Sequence, residues 1–436
     1  MLRLKKGINL KKLNGLLSKM LVLSRNLFLG ALLFSSPLLA RDLSFEDLTG
    51  FVGSQNLSVK ASEFDLSSER ALEGQLKRAF IPSLGLTGGF EEYQLKGTPS
   101  STQSSAYGFV HSELNLYNRG LDRQTDDLQN QKISSRTIDH RRQSSFETLR
   151  AQELYWQVVG LNLKMNVQKD FQRTLASIWE KSKKLVANRV ATKSDDLLIQ
   201  IALRKNAMEF KEIQLELDEA KNQLALTLGL DEHKDLNLVS SFPKDFSPSA
   251  VVPANYEEGN EVLAVESQRK MIEIRQREFS NWWHPSVNLY GQYGVPSPSE
   301  ELEISRDDLR ELVVGVRFDF SFGQAAQLKS VNESYQFQNA ALEARVAHTK
   351  RLLAGVDHEL RHDISLLAKL INEGQEMFSL ISQRQRLLIE EFERGVAKPS
   401  DLLAVAQENY ESKKTEIEYK VDYLQKTAKL HYLNQR

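Results

Sequence analysis

The chain has 436 residues with no cysteine, only 22 glycines and only 10 prolines. Its 57 Lys and Arg residues face 58 Asp and Glu residues, so the whole chain lacks the basic signature of a nucleic-acid-binding protein. The absence of cysteine excludes disulfides, thiolate metal sites and cysteine nucleophiles, and a mean hydropathy of -0.42 argues against a bundle of membrane helices.

Residues 1–40 have the pattern of a signal peptide for export across the inner membrane. They contain seven Lys and Arg residues and no acid, followed by an almost wholly apolar run from Leu27 to Leu39 and a small residue, Ala40. The apolar run is too short for a membrane anchor and contains Pro37, although a buried N-terminal helix is an alternative. The remaining chain carries 50 basic against 58 acidic residues, a formal charge of -8.

The next feature is a long stretch without helix breakers. No proline lies between Pro99 and Pro243, and Gly160 is the only glycine between Gly120 and Gly229. The run Leu121 to Ala187 is therefore predicted to be one helix of 67 residues, about 100 Å long. A helix of that length needs partners along its length, which favours a coiled-coil arrangement. An apolar stripe that follows, with Asn206 as its one polar member, fits a coiled coil or an ordinary core face.

The chain also repeats itself at a nearly constant offset. The pairs separated by 203 residues are Pro82 and Pro285, Ser83 and Ser286, and Gly120 and Gly323; those separated by 205 are Lys193 and Lys398, and Asp196 and Asp401. Such a register predicts two copies of one unit, at residues 41–243 and 244–436. They meet at a Ser/Pro-rich link, residues 240–259.

Each copy contains two strand-like segments, at about 83–93 and 106–117 and at about 286–295 and 310–322. The last is the clearest: Leu312, Val314, Val316 and Phe318 alternate with residues of the other face, which a helix cannot segregate. The lengths suit transmembrane strands of about 9–11 residues. Four strands cannot close a barrel, so several chains would have to pool them; a small soluble sheet with one wet face is the alternative.

The order helix, strand, strand, long helix, tip turn, helix, given twice after a signal peptide, resembles the TolC-like outer-membrane efflux family. The similarity covers nearly all of residues 45–436. The resemblance rests on three kinds of segment. Ile81-Pro82-Ser83-Leu84 and His284-Pro285-Ser286-Val287 open the strand pairs, and residues 116–120 and 320–323 follow them. The tips are residues 189–198 and 394–403.

This resemblance implies an α+β, mostly α fold with an internal two-fold structural repeat. It implies a homotrimer that pools four strands per chain into one outer-membrane β-barrel, continued by a long periplasmic α-helical coiled-coil barrel. The protein would be a passive exit duct of a tripartite efflux or type I secretion system, surrounded by outer-membrane lipid. Its partners would be a periplasmic adaptor and an inner-membrane pump of the RND or ABC type. No enzyme activity, cofactor or nucleic-acid partner is expected.

The tip turns, at about 188–195 and 393–400, contain the candidate site residues. Asp195, Asp196, Asp401 and Phe392 are expected at the periplasmic aperture, where a ring of carboxylates from three chains would attract cations. The structural alternative is that Ser194 and Ser400 cap the following helices, with the acids stabilising the positive helix ends.

Two further groups of residues have competing explanations. The adaptor-contacting residues would be Arg189, Val190, Lys193, Arg394, Gly395 and Lys398, unless these are only solvated surface positions. Val190 stands where the resembling family usually has a tip glycine, which Gly395 retains in the second copy. Trp282 and Trp283 precede a strand and would form part of a membrane-interface girdle or pack at the junction between the sheet and the helices.

Two other functions are compatible with parts of the sequence. A soluble periplasmic coiled-coil scaffold would explain the helices but not the strand pairs. His358, Glu359 and His362 fit the H-E-x-x-H pattern of zinc peptidases. Arg361 and Asp363 place charge where such helices are usually uncharged, and no clear third ligand follows, so a solvated helix face is the preferred interpretation.

Overall fold

The computed structural model describes residues 42–77, 81–95, 101–187, 191–230, 237–238, 241–247, 259–281, 283–295, 310–320 and 325–434. The predicted signal peptide and most of the link between the two predicted copies lie outside these ranges.

Long helices dominate the described structure. They are α1 (Leu48–Gln55), α2 (Leu57–Lys77), α3 (Leu121–Ala187), α4 (Lys193–Thr227), α5 (Asn260–Ser280), α6 (Ala325–Glu393) and α7 (Pro399–Leu433). Helix α3 has the bounds that the absence of helix breakers predicts, and the 69-residue α6 is slightly longer. Each extends about 100 Å. Within the described ranges, no helix has an apolar run suited to crossing a membrane.

Within the described residues, six strands form two sheets. They are β1 (Asp42–Leu43), β2 (Ser83–Leu95), β3 (Ser101–Asn118), β4 (Asn237–Leu238), β5 (Ser286–Val295) and β6 (Glu311–Asp319). The two-residue strands β1 and β4 pair in parallel, and the other four form one antiparallel sheet in the order β2-β3-β5-β6. Strand β2 extends two residues beyond its predicted end and β3 begins five residues before its predicted start, whereas β6 ends before the predicted residue 322.

The helices continue the strand order of the larger sheet. Next to the sheet they pack side by side as α2-α3-α5-α6, and toward the two tips as α4-α3-α7-α6. Hydrogen bonds from Gln129 to Glu69, at 2.9 Å, and from Gln131 to the Ser267 hydroxyl, at 2.8 Å, join α3 to α2 and α5. Helix α6 is therefore an outer helix along its whole length, as β6 is an outer strand.

The apolar core lies between the helices in three clusters. The largest joins α1, α3 and α4, the second joins α6 and α7, and the third lies at the tips. Helices α3 and α7 approach each other closely at Gly160, where an added Cβ would lie 2.5 Å from Cγ2 of Val421. The single glycine inside the longest predicted helix is thus explained by a neighbouring helix.

Candidate functional site

The four-stranded sheet has one apolar face. Leu86, Val110, Tyr293 and Leu312 are direct neighbours across all four strands, so one apolar row crosses the sheet. The exposed apolar side chains of this face are Leu84, Leu86, Phe90, Val110, Leu289, Tyr293, Val295, Leu312, Val314, Val316 and Phe318. Leu86 is 82% exposed and Val314 is 70% exposed, so the described residues of this chain leave the face uncovered.

The opposite face of the sheet is polar. The guanidinium of Arg317 lies 4.0 Å from the carboxylate of Glu113 and 4.9 Å from the ring centroid of Tyr290. Thr87 and His111 form a side-chain hydrogen bond of 3.3 Å. Because successive strand residues point to opposite faces, the alternation in β6 gives the sheet one apolar and one polar face.

The two tip turns are built differently although they follow helices of nearly equal length. Thr192 is the N-cap of α4: its hydroxyl accepts from the Asp195 backbone N–H at 3.2 Å, and the Asp195 carboxylate accepts from the Thr192 backbone N–H at 3.0 Å. The N-cap of α7 is Lys398, which forms no side-chain cap, and Pro399 at the first helical position supplies the helical backbone angle. The expectation that Ser194 and Ser400 cap these helices is therefore wrong.

Asp196 is held by its own chain. Its Oδ1 accepts from the indole Nε1 of Trp179 at 3.0 Å, and its Oδ2 accepts from Gln200 at 2.8 Å. The ammonium group of Lys183 lies over the same ring, 3.2 Å from its centroid. The carboxylate is half-buried and serves as a bridge between α3 and α4.

The other predicted aperture residues differ in exposure. Asp401 is exposed, and Asp195 forms the helix cap described above. Hydrogen bonds from the Thr192 hydroxyl and backbone, together with the charge of Lys398, hold the pKa of Asp195 below its usual value. Phe392 is only 3% exposed and packs in the tip cluster with Ile178, Ile199, Leu402 and Ala406. Its ring is therefore part of the apolar core of the tip.

The predicted adaptor-contacting residues that the structure describes lie at the surface. Lys193, Arg394, Gly395 and Lys398 are exposed; Arg189 and Val190 lie outside the described residues. Gly395 has a backbone φ of 77° and ends α6 with bonds from its N–H to Phe392 O and from Val396 N–H to Glu391 O. This pair of bonds is the Schellman pattern, which favours glycine.

The described member of the tryptophan pair lies at the junction between helix and sheet. Trp283 is 62% exposed, and its ring centroid lies 4.0 Å from that of His284, which hydrogen bonds to the Tyr117 hydroxyl at 2.9 Å. Trp282 lies outside the described residues. The exposed ring is compatible with either of the two roles predicted for this pair.

A buried polar network, which sequence reasoning missed, joins three helices above the tips. Glu209 of α4 accepts from the Tyr410 hydroxyl at 2.8 Å and from the Lys414 ammonium at 2.7 Å, both on α7. Gln168 of α3 is fully buried and donates to Asn206 O at 3.1 Å, and its side-chain oxygen contacts the same Tyr410 hydroxyl. The polar Asn206 in the predicted apolar stripe was the one signal in the sequence.

Burial and pairing act in opposite directions on the titration of this network. Burial raises the pKa of Glu209, but the bonds from Lys414 and Tyr410 and the Lys414 charge outweigh it, and the net shift is downward. Burial lowers the pKa of Lys414, but the hydrogen bond to Glu209 and the charge of Glu209 outweigh burial, and the net shift is upward. Both groups therefore keep their charges over a wider pH range than free side chains do.

The H-E-x-x-H residues lie on α6. His358, Glu359 and His362 are exposed, and the neighbouring Asp363 accepts from Lys426 at 2.7 Å. In the described ranges, no group of three or more His, Asp or Glu side chains is placed to hold a metal ion. These residues thus occupy the solvent-exposed side of a packed helix.

Known proteins resemble this chain in fold but not in sequence. No protein-family sequence model matches the chain, and no curated protein matches it by sequence. The CmeC outer membrane channel of Campylobacter jejuni matches with a TM-score of 0.75 at 10% identity, over 89% of this chain and 85% of that chain. The open state of the MtrE outer membrane channel of Neisseria gonorrhoeae matches with a TM-score of 0.72 at 13% identity, over 91% and 92%.

A third solved structure agrees with these two. The outer membrane protein VceC of Vibrio cholerae matches with a TM-score of 0.72 at 12% identity, over 89% of this chain and 96% of that chain. The resemblance predicted from the sequence is confirmed at the level of the fold: a mostly helical chain with a four-stranded sheet, folded as TolC-like outer-membrane channels are.

Proposed function

We propose that this chain is one protomer of an outer-membrane exit duct that passively conducts substrates out of the periplasm. The observation that carries the proposal is the exposed apolar face of the β2-β3-β5-β6 sheet, backed by a polar face. A membrane barrel needs this pattern, because lipid meets one side of each strand and water the other. The likeness in fold to outer-membrane channels supports it.

Closure of the sheet requires further copies of the chain. Strands β2 and β6 each leave one edge unpaired within the described residues, and an open edge is not tolerated in lipid. In a four-stranded antiparallel sheet the two outer strands run in opposite directions. Strand β6 of one copy can therefore pair in an antiparallel manner with β2 of the next, and three copies give a closed barrel of twelve strands.

The helices offer a matching seam. The outer helices are α6 on one side and α2 or α4 on the other, so three copies would close a helical barrel in the same order as the strands. Each of these outer helices exposes large apolar side chains, among them Phe337 and Leu380 of α6, Phe64 of α2 and Leu215 of α4. Burying these side chains between copies stabilises the trimer.

The proposed assembly assigns roles to the tips. The element order of the first half, from α2 to α4, recurs from α5 to α7, and we take this as the predicted two-fold repeat. The exposed tip residues Lys193, Arg394, Gly395 and Lys398 would contact the periplasmic adaptor, which connects the duct to an inner-membrane pump. Asp401, with Asp195 and Asp196, would place acidic groups at the aperture.

Spin labels on adjacent residues of β6 test the proposal. Because the chain has no cysteine, Val314→Cys and Val313→Cys each give one labelling site, and the two side chains lie on opposite faces. In protein reconstituted into lipid vesicles, we expect oxygen to reach the label at 314 and a water-soluble nickel complex to reach the label at 313. Equal access of the nickel complex to both labels would refute the duct and favour a soluble scaffold.

A further inference from the structure

Two adjacent cavities, each of about 340 Å³, lie along the groove between α5 and α6. The cavity nearer the sheet is lined by Arg119, Arg275, Glu278, Phe279, Asn281 and Tyr335. The second is lined by Met271, Ile272, Leu342 and Arg345, and again by Arg275. Because Arg275 lines both, the two cavities adjoin along the groove, which has a polar end and a more apolar end.

The groove concentrates positive charge in an otherwise acidic chain. Arg119, Arg275 and Arg345 line it, and none of the three has an ion pair within the part of the chain that the structure describes. Glu278 is the one carboxylate in the lining. Guanidinium groups bind phosphate and carboxylate oxygens in a planar, bidentate manner, so unpaired arginines around a cavity favour an anionic ligand.

The backbone at Arg119 is a second, independent observation. Arg119 has a φ of 55° and is the one non-glycine residue with positive φ among the described residues. This conformation costs about 1–2 kcal/mol for a side chain other than glycine, whereas Asn tolerates it better. The next residue, Gly120, already supplies a φ of 71°. A strained arginine at the mouth of a cavity points to a use for its side chain.

We propose that this groove binds a phosphate ester with an apolar body. The phosphate lies between Arg119 and Arg275, and the apolar body extends toward Met271, Ile272 and Leu342. The groove is formed by α5, α6 and the residues that lead into α3, all of one chain, and the seam proposed between copies lies on the other side of α6. The ester is either a phospholipid of the surrounding membrane or a small soluble molecule, and both present the same chemistry to the arginines.

Calorimetric titration of the full chain in amphipol with three probes tests the chemistry. Hexyl phosphate carries both parts of the ligand, inorganic phosphate carries only the anion, and hexanol carries only the apolar body. We expect hexyl phosphate to bind more tightly than inorganic phosphate, and hexanol to bind more weakly than hexyl phosphate by about tenfold or more. Hexanol binding as tightly as hexyl phosphate would overturn the proposal.

Three variants separate the site from general surface charge. Arg275→Ala is expected to weaken the binding of hexyl phosphate by about tenfold or more. Arg277→Ala removes the same charge two residues along α5, about 200° around the helix, and should leave binding within about twofold. Arg119→Asn should weaken binding while the melting temperature stays equal or rises. Equal effects of the variants at 275 and 277 would overturn the proposal.

Reconstitution in lipid discs separates the two sources. If the natural ligand is a membrane lipid, discs of anionic phosphatidylglycerol should block hexyl phosphate binding, and discs of phosphatidylcholine should not. Equal binding in both discs assigns the groove to a soluble phosphate ester. Absence of hexyl phosphate binding in amphipol and in both discs would overturn the proposal for either source.

Discussion

The indole Nε1 of Trp179 donates a hydrogen bond of 3.0 Å to Oδ1 of Asp196, and this contact fixes one tip carboxylate to the long helix before it. Asp401, at the equivalent position of the second tip, is exposed. The sequence repeat makes the two acids look alike, but their surroundings differ. Of these two equivalent acids, Asp401 is therefore the more exposed to permeant ions at an aperture.

Neutralising the two acids should have unequal effects on conduction. In planar bilayers with a salt gradient, we expect Asp401→Asn to move the reversal potential toward zero, because an exposed carboxylate acts directly on permeant cations. Asp196→Asn should have a smaller effect, since both of its oxygens accept hydrogen bonds within the chain. An unchanged reversal potential in the Asp401 variant would contradict a role for this acid in selectivity.

The contact between Gly160 and Val421 predicts a destabilising Gly→Ala substitution in a helix. Alanine normally stabilises a helix interior by about 0.5–1 kcal/mol relative to glycine. At Gly160 the added Cβ would overlap Cγ2 of Val421, and overpacking costs about 1–3 kcal/mol. We therefore expect Gly160→Ala to lower the melting temperature measured by circular dichroism.

A matched control for that substitution lies in α6. An added Cβ at Gly355 meets no atom within 4 Å, so Gly355→Ala should raise the melting temperature. Combining Gly160→Ala with Val421→Ala should cost less than the sum of the two single changes. A rise in melting temperature for Gly160→Ala alone would show that α3 and α7 do not approach as closely as described.

Two glycines with positive φ separate backbone strain from steric overlap. Gly395 (φ 77°) has open space around its would-be Cβ, so Gly395→Ala should cost about 1–2 kcal/mol for the left-handed backbone alone. Gly229 (φ 74°) would place a Cβ 2.4 Å from the carbonyl oxygen of Gln55, so Gly229→Ala should cost more. Thermal unfolding of the two variants measures the difference, and equal losses would contradict it.

The buried network predicts a specific pH dependence of stability. Because the folded pKa of Glu209 is lowered, its stabilising contribution is present above the unfolded value of about 4.3 and is lost as the pH falls through the folded pKa. Because the folded pKa of Lys414 is raised, its contribution is present below about 10.4 and is lost as the pH rises through the folded pKa.

Glu209→Gln should therefore lower the melting temperature at neutral pH, and its difference from the parent should shrink below about pH 4. The control is Glu408→Gln, which breaks a 2.8 Å pair with Arg384 at the surface. That change should cost less than about 1 kcal/mol. A pH-independent difference for Glu209→Gln would mean that the loss arises from packing rather than from the charge pair.

The parts of the fold that depend on local sequence could be predicted from it. Helix α3 follows from the absence of helix breakers between Leu121 and Ala187, and the apolar face of β6 follows from its period of two. Contacts between residues far apart could not be predicted. Tyr410 and Glu209 are separated by 201 positions, and no local pattern specifies that they meet.

At the tips, too, local features could be predicted from the sequence and contacts between distant residues could not. The capping box is a local signal, Thr192 followed three residues later by Asp195, and it competes with Ser194 two residues along as the cap of α4. The burial of Phe392 depends on residues of three other helices, α3, α4 and α7, which sequence periodicity cannot place together. Exposure at the tip was therefore easier to predict for charged residues than for this aromatic one.

Native mass spectrometry of the full chain extracted from outer membranes tests the central claim most directly, because it counts the copies that pool their strands. The account predicts that the protein fractionates with the outer membrane and has the mass of three processed chains. A monomer with the mass of one processed chain, recovered from the soluble periplasmic fraction, would contradict this claim.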